Sequence, residues 1–189
     1  MKERLQNALF AVLLAVAGLL AWGGLTNGHD WGDDFSAYIM QARSLTEGNP
    51  LDFIEKNRVT VQQSSYPMGP VLYPWGFPAL LVPIYAVLGL NMLALKSVGV
   101  AGFLLFLLVL WVAFRKYHSG WWRVVLICLF ALNPEMLGFT NQILSDIPFL
   151  LFSTLGVMLI GRVVVERRRL ISPLIELWLI GPADRRRTA

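Results

Sequence analysis

Residues 8–25, 97–114, 121–137 and 146–164 form four apolar runs, each about as long as a helix must be to cross a bilayer. No other feature of the chain narrows its fold so far. Lipid offers no partner to a bare peptide group, so a spanning segment has to satisfy its own N–H and C=O groups, and a helix does this within one segment. The expected fold class is therefore all-α, a polytopic membrane helical bundle of about four spans. Composition agrees: 56% of the 189 residues are hydrophobic and 15% charged, which exceeds what one small soluble core buries. The first run follows Lys2, Glu3 and Arg4 as a secretory signal would. It is longer than a signal core, however, and Ala21-Trp22-Gly23-Gly24 is a poor cleavage site, so it reads as an uncleaved anchor.

A polar stretch, residues 26–76, separates the first two spans. Phe77 to Leu90 follows it, apolar but only about 14 residues long and holding Pro78 and Pro83, which suits a re-entrant or interfacial helix better than a crossing. Charge sets the orientation. If this short segment does not cross, Lys2/Arg4, Arg115/Lys116/Arg123 and Arg162/Arg167/Arg168/Arg169 share one side, and the acidic loop takes the other. That is the positive-inside arrangement, with a cytoplasmic amino terminus and loop 26–76 on the outer face of a bacterial cytoplasmic membrane. The net charge of +4 thus flanks spans instead of forming a basic stripe among stacking aromatics, and no nucleic-acid partner is expected. Cys128, the only cysteine, lies in an apolar run and excludes a disulfide framework. Residues 1–169 read as one membrane-embedded region. Residues 170–189 read as a cytoplasmic-side tail, either a surface helix or a truncated or frame-shifted end.

Three features can carry chemistry. From Asp34 the apolar residues fall at 35, 38, 39, 42 and 45, the spacing of an amphipathic helix, with Asp33 and Asp34 at its start and Gly48 as a stop. Carboxylates in that place cap a helix. They also stand where a general base would meet a substrate at the membrane surface. A Pro/aromatic block, Tyr66 to Pro78 with Tyr73 and Trp75 inside it, reads as an interfacial turn or as the wall of a site for an isoprenoid chain. Thr140-Asn141-Gln142-Ile143-Leu144-Ser145-Asp146-Ile147-Pro148 reads as a helix start, with Ser145 as cap and Asp146 facing the outer side. Lys96, basic at an outer span end, either snorkels to the interface or meets a phosphate. Glu135 is expected exposed, and His29 and His118 fall on opposite sides and cannot share a metal. No HExxH, GxGxxG or P-loop occurs.

These blocks, in this order, resemble the GT-C class of glycosyltransferases. Gly-Asp-Asp-Phe-x-x-Tyr-x-x-x-Ala-Arg-x-Leu at 32–45 is similar to the first outer loop of protein O-mannosyltransferases and of the aminoarabinose transferases of lipid A. Tyr73-Pro74-Trp75-Gly76-Phe77-Pro78 is similar to the Pro-Pro turn that follows, and Asn133-Pro134 through Phe149 to the turn into the fourth span. The resemblance covers residues 1 to about 165 and implies the amino-terminal portion of a larger bundle, with amphipathic and re-entrant helices in its first outer loop. It implies transfer of a sugar from a polyprenyl-phosphate donor to a lipid, glycan or protein acceptor, with inversion. Asp34 would be the base, with Asp33 as the fallback and Asp146 as a second acidic position; Tyr38, Lys96, Tyr73, Trp75 and Asn141 would line the substrate. Trp75-Gly76 stands where such enzymes often carry a basic residue. No cofactor follows from the residues, and a divalent metal is left open. Membrane lipids are the other expected partners. The competing reading is a non-catalytic membrane subunit or scaffold that packs against other subunits, and Asp34→Asn separates the two.

Overall fold

The computed structural model describes residues 2–29, 34–63, 72–115 and 121–179. Every regular element among them is a helix: α1 (Lys2–Gly23), α2 (Phe35–Thr46), α3 (Pro50–Gln63), α4 (Gly76–Leu88), α5 (Met92–Ala113), α6 (Trp121–Ala131), α7 (Pro134–Thr140) and α8 (Asp146–Leu179). The chain divides into two compact units, Met1–Leu151 and Phe152–Ala189. The first holds α1 to α7 and the opening turns of α8. The second carries the remainder of α8, which continues through 170–179, where a surface helix is one of the two readings of the sequence. Among the described residues three helices are long and apolar enough to cross a membrane, at Glu3–Gly23, Met92–Ala113 and Asp146–Val164, and the bent pair Trp121–Ala131 and Pro134–Thr140 brings the number to four if it is one span. The protein is a helical membrane bundle.

Two contacts fix the ends of the first unit. Glu3 at the start of α1 pairs with Arg115 just beyond α5 at 3.0 Å. At the other end of both helices, Lys96 Nζ donates to the Thr26 carbonyl at 2.9 Å. α1 and α5 are therefore antiparallel, and Thr26 and Asn91 lie at one end of the unit. Between the two contacts, Phe10 stacks on Trp111 at 4.5 Å, and Gly18 admits the Leu104 side chain to 3.5 Å of where its own Cβ would stand. Small residues on α1 (Ala17 and Ala21, both buried) allow this close approach, which lipid-embedded helices use in place of a hydrophobic driving force. α5 is the central span, half buried over its apolar window against 22% for α1.

α4 does not cross. At 13 residues it is roughly 20 Å long, short of the hydrocarbon thickness. Its start packs against α2, and its end turns through Gly89 (φ 61°) straight into α5, so both of its ends belong to the Thr26 end of the unit. Asn91 caps α5 by accepting the Ala94 N–H at 3.1 Å, and α5 begins five residues before the expected Ser97.

The expected single span at 121–137 is broken. α6 ends at Ala131, and α7 sets off from Pro134 at 53° to it. Proline lacks the N–H that would continue the α6 ladder. Asn133 then opens a new helix, its Oδ1 accepting from Glu135 N (2.9 Å) and Met136 N (3.2 Å). The pair still runs from end to end, because Arg123 lies on Trp111 near the Glu3 end and Thr140 lies against Gly99 of α5 near the other.

Candidate active site

The side chains with chemical potential gather at the Thr26 end, and α2 organises them. Its buried face carries Tyr38, Ile39 and Ala42, as the periodicity predicts, but also the polar Gln41 and Ser44. Gln41, fully buried, clamps a peptide from 32 residues away: its Oε1 accepts the Tyr73 N–H and its Nε2 donates to the Tyr73 carbonyl, both at 2.9 Å. Such reciprocal satisfaction is what a buried amide requires. Held there, the Tyr73 ring tilts against Tyr38 at 5.0 Å, and Tyr38 meets Phe77 of α4 edge-on at 5.0 Å. Around them Ile39, Ala42, Leu81, Leu95 and Ile143 complete one apolar cluster drawn from α2, α4, α5 and the 141–145 turn.

Asp34 is the exposed product of this scaffold. It occupies the N-cap position of α2 with helical angles (φ −74°, ψ −1°), yet its side chain makes no capping bond. Instead Tyr73 donates its hydroxyl to Asp34 Oδ1 at 2.6 Å. Burial first, then the bond to Asp34 and the nearby carboxylate charge, push the Tyr73 hydroxyl up to about 12, so it remains a donor across neutral pH. The Tyr38 hydroxyl shares a 3.1 Å bond with Ser145 Oγ, one residue before the exposed Asp146 that starts α8. A chain of contacts (Asp34, Tyr73, Tyr38, Ser145) thus joins the two aspartate positions at one end of the bundle.

A second cluster adjoins the first. Lys96 is fully buried, not snorkelled. Its ammonium donates to the Thr26 carbonyl, the Gly28 carbonyl and Asn141 Oδ1, the last at 2.9 Å. Asn141 Oδ1 also accepts the Thr26 N–H at 2.9 Å, so lysine and asparagine together pin the chain leaving α1 onto the α7–α8 turn. Beside them, His29 Nε2 accepts the Ile143 N–H at 2.9 Å, which puts the proton of a neutral ring on Nδ1. The same ring stacks on Phe35, the first residue of α2, at 3.9 Å. Thr26, Gly28, His29 and Asn141 line a cavity of about 210 Å³, less than a whole small-molecule site usually takes, so it suits part of a ligand.

Of the residues singled out in the sequence, Asp34, Tyr38 and Tyr73 therefore form one group, and Lys96 and Asn141 another, with His29 between them. Asp146 is exposed beside the first group. Trp75 is half-buried and supplies the carbonyl that accepts the Ala79 N–H at 2.9 Å as α4 begins. Asp33, the 66–71 part of the Pro/aromatic block and His118 lie outside the described residues. Glu135 is exposed, as expected. Sequence reasoning passed over Thr26, Gly28 and Gln41, and read Ser145 as a cap only. The one available signal was two polar residues, Gln41 and Ser44, on the apolar side of an amphipathic repeat. Among the described residues no three His, Cys, Asp or Glu side chains gather to hold a metal. Comparison of the chain with protein-family models, with curated proteins and with solved structures returns no match.

Proposed function

We propose that this end of the bundle belongs to a membrane glycosyltransferase that takes a sugar from a polyprenyl-phosphate donor, as the likeness to GT-C enzymes implies. One observation carries the reading. The Asp34 carboxylate stands where a helix cap belongs, leaves that bond unmade, and is held by the Tyr73 hydroxyl at 2.6 Å, exposed at a bundle end. A carboxylate aimed by a second residue and open to solvent is arranged as a base.

In this reading Asp34 Oδ2 takes the proton of an acceptor hydroxyl while Tyr73 holds Oδ1. The acceptor oxygen bonds to the anomeric carbon from the face opposite the phosphate, the bond from that carbon to the phosphate oxygen breaks, and polyprenyl phosphate leaves with the electron pair. Inversion follows from attack on the far face. Lys96, bonded to three residues that line the small cavity, sets a positive charge behind its wall and favours an anionic group there, the donor phosphate being the candidate.

The test uses the full chain in nanodiscs of bacterial lipid, supplied with a panel of radiolabelled polyprenyl-phosphate sugars and with lipid, glycan and peptide acceptors. Asp34→Asn is expected to lower transfer at least a hundredfold, about the range of a lost general base, with insertion unchanged. Transfer that survives Asp34→Asn would sink the assignment. Absence of transfer with every donor would leave the scaffold reading as the better one.

A further inference from the structure

At the opposite end of the first unit, Arg123 is 4% exposed and its Nε is buried without a hydrogen-bond partner among the described residues. One face of the guanidinium is covered, 3.6 Å above the Trp111 ring, which itself lies flat on Phe10. Its position is unfavourable on three counts. A buried cation without an anion is costly. A cation in the first turn of a helix opposes the helix dipole, and Arg123 is the third residue of α6. Arg115, a like charge, acts on it as well. Among the described residues the acidic group that acts on it is Glu3, whose carboxylate already receives Arg115 at 3.0 Å.

An anion seated at Arg123 would relieve all three. The depth of the site says which anion is at hand. Trp121 and Trp122, immediately before Arg123, are 57% and 74% exposed, and exposed tryptophans at the end of a span mark the headgroup layer. We propose that Arg123 receives the phosphate of an anionic membrane phospholipid. The planar fork donates to two phosphate oxygens while Trp111 supports its other face. A zwitterionic lipid brings its own cation to the same phosphate, so the preference is for a headgroup of net negative charge. Arg4 and Arg115, set against Glu3, add to the attraction at this end. The proposal is independent of any sugar transfer.

The experiment takes the full chain in dodecyl maltoside and adds phosphatidylglycerol, phosphatidylcholine or inorganic phosphate, reading retained lipid by native mass spectrometry and melting temperature in parallel. The unaltered chain is expected to keep phosphatidylglycerol about tenfold better than phosphatidylcholine and to melt higher with it, as fits one charge-assisted contact. Arg123→Gln should reduce retention to the phosphatidylcholine level, and Arg123→Lys, which keeps the charge, should preserve part of it. Equal retention of the two lipids by the unaltered chain overturns the proposal whether or not the variants fold. So does unchanged phosphatidylglycerol binding in Arg123→Gln. Equal stabilisation by inorganic phosphate would make this a free-anion site and overturn the lipid assignment.

Discussion

Single residues decide the candidate site. A phenol that donates to Asp34 is useful only while it keeps its proton. Tyr73 has its hydroxyl raised from 10.0 to about 12 in the folded chain. Because the folded value is the higher one, the stabilisation is fully present below pH 10 and is lost as pH climbs from 10 towards 12. The melting-temperature difference between the unaltered chain and Tyr73→Phe should therefore be flat to pH 10 and shrink above it; a difference that persists at pH 12 would contradict this. In a transfer assay Tyr73→Phe should cost roughly tenfold, less than Asp34→Asn, because it removes an orienting bond and leaves the carboxylate. Lys96 is a different kind of residue. Replacing it by Met leaves Gly28 and Thr26 carbonyls and the Asn141 amide without their shared donor, at a cost of about 2–4 kcal/mol read from melting in detergent. A Lys96→Met chain as stable as the original would show that the ammonium is no tether.

Among the elements, the α6–α7 break carries the most consequence. The bend delivers Thr140 and Asn141 to α5, where the Thr140 carbonyl comes within 3.4 Å of where a Gly99 side chain would begin. Gly99→Leu should therefore force α7 away from α5, loosen the Lys96–Asn141 contact and cost about 1–3 kcal/mol. Asn133→Ala removes the two bonds that restart the helix and should cost about 1 kcal/mol, with no effect on α5. If the two variants melt alike and without loss, the bend is not held by these residues. The Asn133-Pro134 pair announces a break in advance, since proline ends one ladder and asparagine caps the next. The 53° angle is not announced, because it depends on what α7 meets.

For the whole molecule, the Glu3–Arg115 contact implies that α1 and α5 return the chain to the side it started from. With Cys128 replaced by Ser, a cysteine at Asn49 should react with an impermeant maleimide on intact cells. A cysteine at Glu3 should react only after permeabilisation. Labelling of Glu3→Cys from outside would invert the proposed orientation, and labelling of both would mean mixed insertion. The apolar runs alone specified a helical membrane protein, because lipid leaves unpaired peptide groups no other partner, and the short 77–90 segment, weighed with the placement of the basic residues, favoured four crossings over five. The amphipathic repeat from Phe35 likewise marked the buried Tyr38, Ile39 and Ala42. What it left open was the fate of each polar group: whether Asp34 caps its helix, whether Lys96 reaches water, what Gln41 is for. Those outcomes turn on partners 32 to 70 residues away, Tyr73 for Asp34 and Gln41, Thr26 and Asn141 for Lys96. A hydrogen bond acts over about 3 Å in space and carries no trace in local sequence, so only the packed bundle decides it.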